Sequence, residues 1–338
     1  MQAMESAPNP GTVFDMLLAY QRTAALRAAV ELDIFRAVGE GPGDVASIAK
    51  QCSASERGVR ILCDFLVING ILTKDGGHYK HTPTSATFLD PRSPVSIAST
   101  ARFLGNPAII QPFDSLAEIV RNGHTSLEGE GTVEPNNPVW VEFAESMAPL
   151  AALGAPGLAT IALAGKTGSV SVLDIAAGHG LFGIAIAQQN PQAKITALDW
   201  PAVLAVAERN AQKAGVADRI TKLPGSAFDV DYGGPHDVVL LTNFLHHFDQ
   251  PTCIGLLKKV HAAMKPGGRA AALEFVPNDD RVTPPMAAAF SMTMLGTTGS
   301  GDAYTFNELK AMYEAAGFHD VTVHAVPMSP QTAVVGVA

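Results

Sequence analysis

The sequence predicts an α/β protein in which a helical domain precedes a domain built on a mostly parallel sheet. In the second half of the chain, apolar strand segments alternate with helical or loop segments, and this pattern produces a parallel sheet covered by helices. The predicted strands lie near 170–174, 194–198, 219–223, 236–242 and 269–276. Two final strands, 320–327 and 331–338, are joined by a turn so short that only antiparallel pairing is possible.

Length and composition limit the class of protein. The chain has 338 residues, of which 47% are hydrophobic and 16% charged, enough for two well-packed domains. Its net charge of −9 argues against a nucleic-acid partner, which requires a basic surface. Cys52, Cys63 and Cys253 show no paired or metal-ligand spacing, and residues 1–10 lack a basic segment followed by an apolar one. No apolar run is long enough to span a membrane. We therefore expect a soluble, cytoplasmic protein without a membrane or nucleic-acid partner.

Helices dominate the N-terminal region. Between residues 12 and 38, apolar residues recur at helical spacing, on faces wide enough to be buried against another chain or a neighbouring domain. Further helices are predicted at 44–50 and 55–69. They are followed by two short strands around Asp75, Gly76 and Gly77, which form a hairpin turn. Helix, turn, helix and hairpin in this order are typical of a winged helix.

The charge of this region decides between two functions of a winged helix. Through residue 100 the chain has nine Lys or Arg and ten Asp or Glu, so the region lacks the basic surface of a DNA-binding domain. Dimerisation and covering of a neighbouring site are therefore favoured. A Pro- and Gly-rich loop at 123–138 and a short amphipathic helix at 139–147 follow. We expect a dimerisation domain at 1–100, linker helices at 101–165 and a ligand-binding domain at 166–338.

A glycine turn after the first strand of the sheet is the most informative motif. The strand ends at Asp174 and continues into Gly178, Gly180 and Gly183, and the next strand ends at Asp199. This spacing fits either a dinucleotide such as NAD or S-adenosylmethionine (SAM), with Asp199 where a carboxylate meets ribose hydroxyls. An acid at Asp174 would repel a pyrophosphate at the helix N-terminus, whereas it suits the ammonium and sulfonium groups of SAM. The motif therefore favours SAM.

The order of the motifs along the chain extends this interpretation. They lie at 173–180, 198–201, 224–228, 243–249, 264–268 and 272–275. From about Phe14 to the C-terminus, the chain resembles the two-domain class I small-molecule O-methyltransferases of the caffeic-acid and acetylserotonin type. The resemblance implies a Rossmann-like methyltransferase domain, SAM as cofactor, a small-molecule acceptor and a homodimer formed through the N-terminal domain.

The resemblance also assigns cofactor-binding residues. They are Asp174, Gly178, Gly180, Asp199, Trp200, Ser226, Ala227, Phe228 and Thr242. Asp174, Gly178 and Gly180 would lie along the methionine end of SAM. Asp199 would bind the ribose, and residues 226–228 would lie beside the adenine. The family usually has an acid where Ser226 stands. Ala176 and Ala177 replace glycines of the family motif, which adds methyl groups to a close-packed turn.

Two residues match the catalytic pair of the family. His246 matches the general base and Glu274 the carboxylate that orients it; an imidazole suits removal of a proton from an attacking hydroxyl. The alternative is that His246 and His247 only cap the strand, and His247 receives no role. A second family carboxylate is replaced by Ala303, and the adjacent Asp302 is a possible substitute, although a shift of one residue normally turns a side chain away.

The acceptor pocket follows from the same resemblance. It implies that Phe143, Met147, Phe290 and Met294 line the acceptor, although each would serve equally as ordinary core. Arg102, Arg281 and Tyr304 are candidates for binding an acidic acceptor, with solvated surface positions as the alternative.

Other functions stay open at this stage. A thioether acceptor of the methylthiohydroxybutyrate type, as in dimethylsulfoniopropionate synthesis, has no proton to lose and would need no general base. A C- or N-methyltransferase, an NAD-dependent dehydrogenase and a winged-helix regulator are weaker alternatives. A metal at His246 and His247 is disfavoured, because no further histidine occurs between His261 and His319.

Overall fold

The computed structural model describes residues 8–338, and the chain divides into two compact units that meet between Arg102 and Phe103. Residues 1–7, which make up most of the N-terminal segment analysed for a targeting signal, lie outside the described residues.

Helices and one hairpin form the N-terminal unit. Its elements are α1 (Pro10–Leu17), α2 (Ala19–Glu31), α3 (Ile34–Glu40), α4 (Val45–Gln51), α5 (Glu56–Ile68), β1 (Leu72–Asp75), β2 (His78–His81) and α6 (Pro83–Phe88). Asp44 and Ser55 cap α4 and α5 by accepting from backbone N–H groups, so both helices begin where the sequence predicts. The antiparallel pair β1–β2 follows them, in the predicted order.

The core of this unit comes from α3, α4 and β2, among other elements, whereas α1 contributes nothing to it. Phe35, Ile48 and Tyr79 are almost fully buried at its centre. In contrast, α1 has no buried residue, and Phe14 and Leu17 expose more than 60% of their surface. The first helix therefore leaves an apolar face uncovered.

The C-terminal unit is an α/β domain. Its elements are α7 (Thr100–Leu104, across the boundary), α8 (Pro107–Ile110), α9 (Leu116–Asn122), α10 (Val139–Ser146), α11 (Ala148–Leu163), β3 (Val170–Ile175), α12 (Leu181–Gln189), β4 (Ala193–Asp199), α13 (Pro201–Lys213), β5 (Ile220–Pro224), β6 (His236–Thr242), α14 (Gln250–Ala262), β7 (Met264–Glu274), α15 (Pro285–Thr297), α16 (Phe306–Ala315), β8 (His319–Ala325) and β9 (Thr332–Val337). Single 3₁₀ turns lie at Gln111–Ser115, Ala217–Arg219 and Leu245–His247.

The sheet confirms the predicted topology. Its strand order is β5-β4-β3-β6-β7-β9-β8, with parallel pairing from β5 to β7 and antiparallel pairing of β9 with β7 and β8. One boundary differs: β7 begins at Met264 and not near residue 269, because Met264 already pairs with His236 before a register shift.

Both faces of the sheet are buried. Leu173 and Ile175 of β3 belong to one apolar cluster, whereas Val170 and Val172 belong to another on the opposite face. Because β3, β4, β5 and β6 run parallel, the loops that follow them meet at the carboxyl edge of the sheet, where ligands bind in open α/β folds.

Among residues 8–338 no single helix is long and apolar enough to cross a membrane, although α10 and α11, bent by 67°, meet that criterion as a pair.

Candidate active site

A cavity of about 430 Å³ opens at the carboxyl edge of the sheet, a size typical of small-molecule sites. Loops after four neighbouring parallel strands supply most of its wall. Of the predicted cofactor residues, it is lined by Gly178, Asp199, Trp200, Ser226, Ala227, Phe228 and Thr242. Asp174, near the end of β3, and Gly180, in the turn that follows, are not among the lining residues.

The turn after β3 depends on left-handed backbone. Gly178 and Gly180 have φ of +57° and +74°, and a Cβ at Gly180 would lie 2.9 Å from the Cβ of Ala207. Ala176, which stands where the family motif has glycine, also has a positive φ of +52°. This conformation costs an alanine roughly 1 kcal/mol, so the alanine at this position strains the turn.

Asp199 joins two of these loops. Its carboxylate accepts hydrogen bonds from the backbone N–H of Gly178 at 2.8 Å and of Trp200 at 2.7 Å, and the residue lines the cavity. Burial raises the pKa of Asp199 to about 6, against the effect of these two donors. The carboxylate thus holds the glycine turn against the end of β4.

Asp174 is buried beneath the turn, with 1% of its surface exposed. One oxygen accepts from the N–H of Gly183 at 3.2 Å, and the other, Oδ1, has no hydrogen-bond partner among residues 8–338. Burial raises the pKa of Asp174 to about 7. A half-satisfied buried carboxylate costs stability, which is typical of a group retained for binding.

Aromatic rings surround the far end of the cavity. The ring of Phe228 lies 5.0 Å from that of Phe248 in an edge-on arrangement, and Phe244 packs against both. The Ser226 hydroxyl accepts from the N–H of Phe228 at 3.1 Å, so its oxygen already has a local partner. Ser226 therefore shapes this end of the cavity without supplying the negative charge of the family acid.

His246 and Glu274 form a buried hydrogen-bonded pair. Oε1 of Glu274 accepts from the N–H groups of Phe244 at 3.1 Å and Leu245 at 2.9 Å. Oε2 is hydrogen-bonded to Nδ1 of His246, and both side chains are about 95% buried. The carboxylate thereby fixes the proton of His246 on Nδ1 and leaves Nε2 as the basic nitrogen. The His246 ring lies 4.8 Å from Phe290, and His246 is not among the lining residues of either cavity.

His247 lines the cavity, although the sequence assigned it no role. It exposes only 8% of its surface, its Nδ1 has no partner among the described residues, and the Trp140 ring lies 5.1 Å away. Burial, followed by the neighbouring His246, lowers the pKa of His247 well below its usual range. His247 is therefore a neutral imidazole facing the ligand space.

Three residues that the sequence suggested for the site, Arg281, Asp302 and Tyr304, are bonded to other groups of the protein. Arg281 pairs with Asp302 at 3.1 Å and with Glu308 at 2.5 Å. The other oxygen of Asp302 accepts from the N–H of Ala303, so Asp302 does not replace the missing carboxylate beside His246. The Tyr304 hydroxyl donates to the Phe248 carbonyl at 2.5 Å. Neither Arg281 nor Tyr304 lines either cavity, and both have partners within the protein, whereas Arg102 is exposed, as its solvated alternative requires.

The predicted acceptor residues do not all meet. Phe143 and Met147 line a second cavity of about 70 Å³, and Phe143 and Asn243 line both cavities. Phe290 contacts the His246 ring, whereas Met294 is buried with 3% exposure and lines neither cavity. Met294 is therefore a core residue, in agreement with the alternative stated for it above.

Some lining residues escaped the sequence analysis. They are Val133, Pro135, Trp140, Asp229, Asn243, Phe244 and Phe248. The last four follow β5 or β6, so the rule that ligands meet strand ends would have found them. The first two come from the loop at 123–138, which the backbone N–H and Oγ1 of Thr132 hold to the Thr297 carbonyl at 2.9 and 3.0 Å. No pattern in the sequence predicts these hydrogen bonds between Thr132 and Thr297.

Gly301 gives a direct test of the backbone around His246. A Cβ at this position would clash with the His246 carbonyl and lie 2.7 Å from Thr298 Oγ1. We expect Gly301→Ala to lower the free energy of unfolding by roughly 1–3 kcal/mol and to reduce turnover, because backbone atoms would have to move. Gly299→Ala in the same loop would meet only the flexible Glu130 side chain and serves as the control. Equal effects of both variants on Tm and turnover would contradict this packing.

Metal ligation is not evident in the geometry of residues 8–338, where no three His, Cys, Asp or Glu side chains are grouped to hold an ion.

The chain is similar to known methyltransferases. An O-methyltransferase domain profile matches residues 145–319, and an O-methyltransferase dimerisation domain profile matches residues 14–91. The tetracenomycin polyketide synthesis 8-O-methyltransferase TcmO of Streptomyces glaucescens is 26% identical over 97% of this chain and 96% of its own length.

Two crystal structures have the same fold. A protein of Nostoc punctiforme assigned as an O-methyltransferase has a TM-score of 0.95 and 46% identity over 98% of this chain and 100% of its own. Human N-acetylserotonin methyltransferase in complex with SAM has a TM-score of 0.84 and 24% identity over 99% of both chains. These matches favour methyl transfer over the dehydrogenase and regulator alternatives.

Proposed function

Since the chain belongs to the O-methyltransferase family and is a SAM-dependent methyltransferase, we propose that it methylates a hydroxyl oxygen of a small aromatic molecule, with His246 as general base. The buried hydrogen bond between His246 Nδ1 and Glu274 carries this proposal. SAM supplies an electrophilic methyl group when bound. The protein must then remove the proton of the attacking hydroxyl.

The hydrogen bonds of Glu274 explain how His246 would act. Two backbone N–H groups hold the carboxylate in place, so its second oxygen keeps the imidazole in one tautomer and one orientation. Nε2 accepts the proton from the hydroxyl, and the positive charge that forms on the ring is stabilised by the adjacent carboxylate. With Ala303 buried and Asp302 paired to Arg281, Glu274 performs this orientation alone.

The cofactor is assigned to the larger cavity. We propose that Asp199 holds the ribose, that residues 226–228 flank the adenine, and that Trp200 and Thr242 complete this wall. Asp174, whose Oδ1 has no hydrogen-bond partner among residues 8–338, supplies a negative charge for the methionine end of the cofactor, and Gly180 keeps the turn in its left-handed path.

The lining of the cavities supports an uncharged aromatic acceptor. Phe143, Met147, Phe275 and Leu273 border the smaller cavity, and no lysine or arginine of residues 8–338 lines either one. A carboxylate acceptor would therefore lack a cationic partner. TcmO is named for methylation of a polyketide oxygen, which agrees with a phenolic acceptor.

The dimerisation-domain match and the exposed apolar residues of α1 support a homodimer through the N-terminal unit. A cytoplasmic location and the absence of a nucleic-acid partner stay predictions.

Methyl transfer from isotopically labelled SAM to a panel of phenols, hydroxy acids and methylthio acids tests the function. We expect label on a phenolic oxygen and none on sulfur. A sulfonium product would contradict the proposal, since it forms without loss of a proton and leaves the His246–Glu274 pair without its chemical task.

A further inference from the structure

The turn between β8 and β9 borders the smaller cavity. Ser329, Pro330 and Gln331 line the smaller cavity. The turn rests on α11, where a Cβ at Gly154 would lie 2.9 Å from the Ser329 Cβ, and one at Gly157 would lie 2.8 Å from Pro327 Cδ. Two glycines thus allow a close approach that fixes the position of the turn.

Gln331 reaches from this turn to Asn243. Its backbone N–H donates to Ser329 Oγ at 3.1 Å, and its side-chain Nε2 donates to Asn243 Oδ1. Asn243 is anchored in turn by its own N–H, which donates to the Leu273 carbonyl at 2.9 Å, and has a left-handed φ of +55°. One hydrogen bond therefore fixes the backbone of Asn243, and a second fixes the oxygen of its side-chain amide.

Asn243 lines both cavities and so lies at their junction. Because its Oδ1 accepts from Gln331, its Nδ2 group presents two N–H donors to the ligand space. The Trp140 indole N–H is unavailable there, since it donates to the Thr132 carbonyl at 2.8 Å.

We propose that Gln331 is a positioning residue that sets the polarity of this junction and, through Asn243, selects acceptors with a hydrogen-bond-accepting oxygen beside the methylated hydroxyl. This inference rests on the proposed function. Carbonyl and ether oxygens have the required chemistry, whereas an N–H group would meet the Asn243 donors with a donor of its own.

Gln331→Glu tests the proposal because it should reverse the orientation of the Asn243 side-chain amide. A carboxylate accepts and does not donate, so Asn243 would turn its Nδ2 toward position 331 and present Oδ1 to the ligand. The probes are 2-methoxyphenol and 2-(methylamino)phenol, which differ in an ether oxygen or an N–H. Their affinities are measured by calorimetry on protein loaded with S-adenosylhomocysteine, so the result needs no turnover.

We expect the wild-type protein to prefer 2-methoxyphenol by roughly 3- to 10-fold, corresponding to one neutral hydrogen bond. Gln331→Glu should abolish or reverse this ratio. Gln331→Met, which fills the same space without a donor, should reduce it without reversal. The exposed Gln212→Glu variant is the control for added charge and should keep the wild-type ratio.

Three results would overturn the proposal. One is the same ratio in the wild type and both Gln331 variants, and another is failure of both probes to bind the wild type. The third is weaker S-adenosylhomocysteine binding in the variants with an unchanged probe ratio, which would assign the Asn243 donors to the cofactor. Oxygen methylation that persists in the phenol panel would leave the proposed function intact in each case.

Discussion

Replacement of His246 by asparagine is expected to lower kcat by roughly 100- to 10,000-fold, the contribution of a positioned general base. Asparagine cannot take up the proton of the acceptor hydroxyl. Because His246 lies outside the wall of the larger cavity, the affinity for S-adenosylhomocysteine should change by less than about 3-fold. Single-turnover kinetics with a phenol identified in the panel, together with calorimetry of the cofactor product, give both quantities.

Two variants control this experiment. His319→Asn makes the same change at an exposed histidine paired with Asp320, and should leave kcat unchanged. Glu274→Gln removes the charge that orients His246, and its effect should not add to that of His246→Asn, because the two residues act as a unit. A decrease of less than about 3-fold in His246→Asn would mean that another group, or water, removes the proton.

The outcome at His246 bears on how far a sequence predicts a site. Thr242 and Glu274 were assigned through the resemblance to the family. Alternation of strands and helices predicted the sheet, and the end of one strand predicted Asp199, because the carboxyl ends of parallel strands meet at one edge. The short turn before β9 predicted the antiparallel pair. These predictions rest on local periodicity and on chain connectivity, both of which are written in the sequence.

Other parts of the site depend on contacts that periodicity does not encode. His247 lines the cavity with the ring of Trp140, from far earlier in the chain, packed against it. Asp302 is adjacent to the position of the missing carboxylate but is held by Arg281. Gln331 joins the site only because the turn after β8 packs on the glycines of α11. In each case the orientation of a side chain is set by a partner far away in the chain.

Asp174→Asn should raise the free energy of unfolding of the cofactor-free protein and, at the same time, weaken cofactor binding. Burial raises the pKa of Asp174 from 3.8 to about 7, so the folded protein binds a proton more tightly than the unfolded chain does. The contribution of this carboxyl to stability therefore falls as pH rises from about 4 to 7, and at about pH 8 the ionised group costs up to about 4 kcal/mol. Asparagine removes that charge and still accepts from the Gly183 N–H.

The pH dependence distinguishes this explanation from ordinary loss of packing. Asp174→Asn should raise the free energy of unfolding by at least about 1 kcal/mol near pH 8 and have little effect near pH 4, while S-adenosylhomocysteine binding weakens at least about 10-fold at the higher pH. Asp237, at the opposite edge of the sheet, is the matched control. Although burial raises the pKa of Asp237, the Lys265 ammonium and the Ser171 N–H together lower it. Asp237→Asn should therefore destabilise the protein near pH 8, with the opposite sign. Destabilisation by both variants would show that ionised Asp174 has a stabilising partner in the folded protein, whereas opposite signs would show that its charge is kept for the cofactor at the expense of the fold.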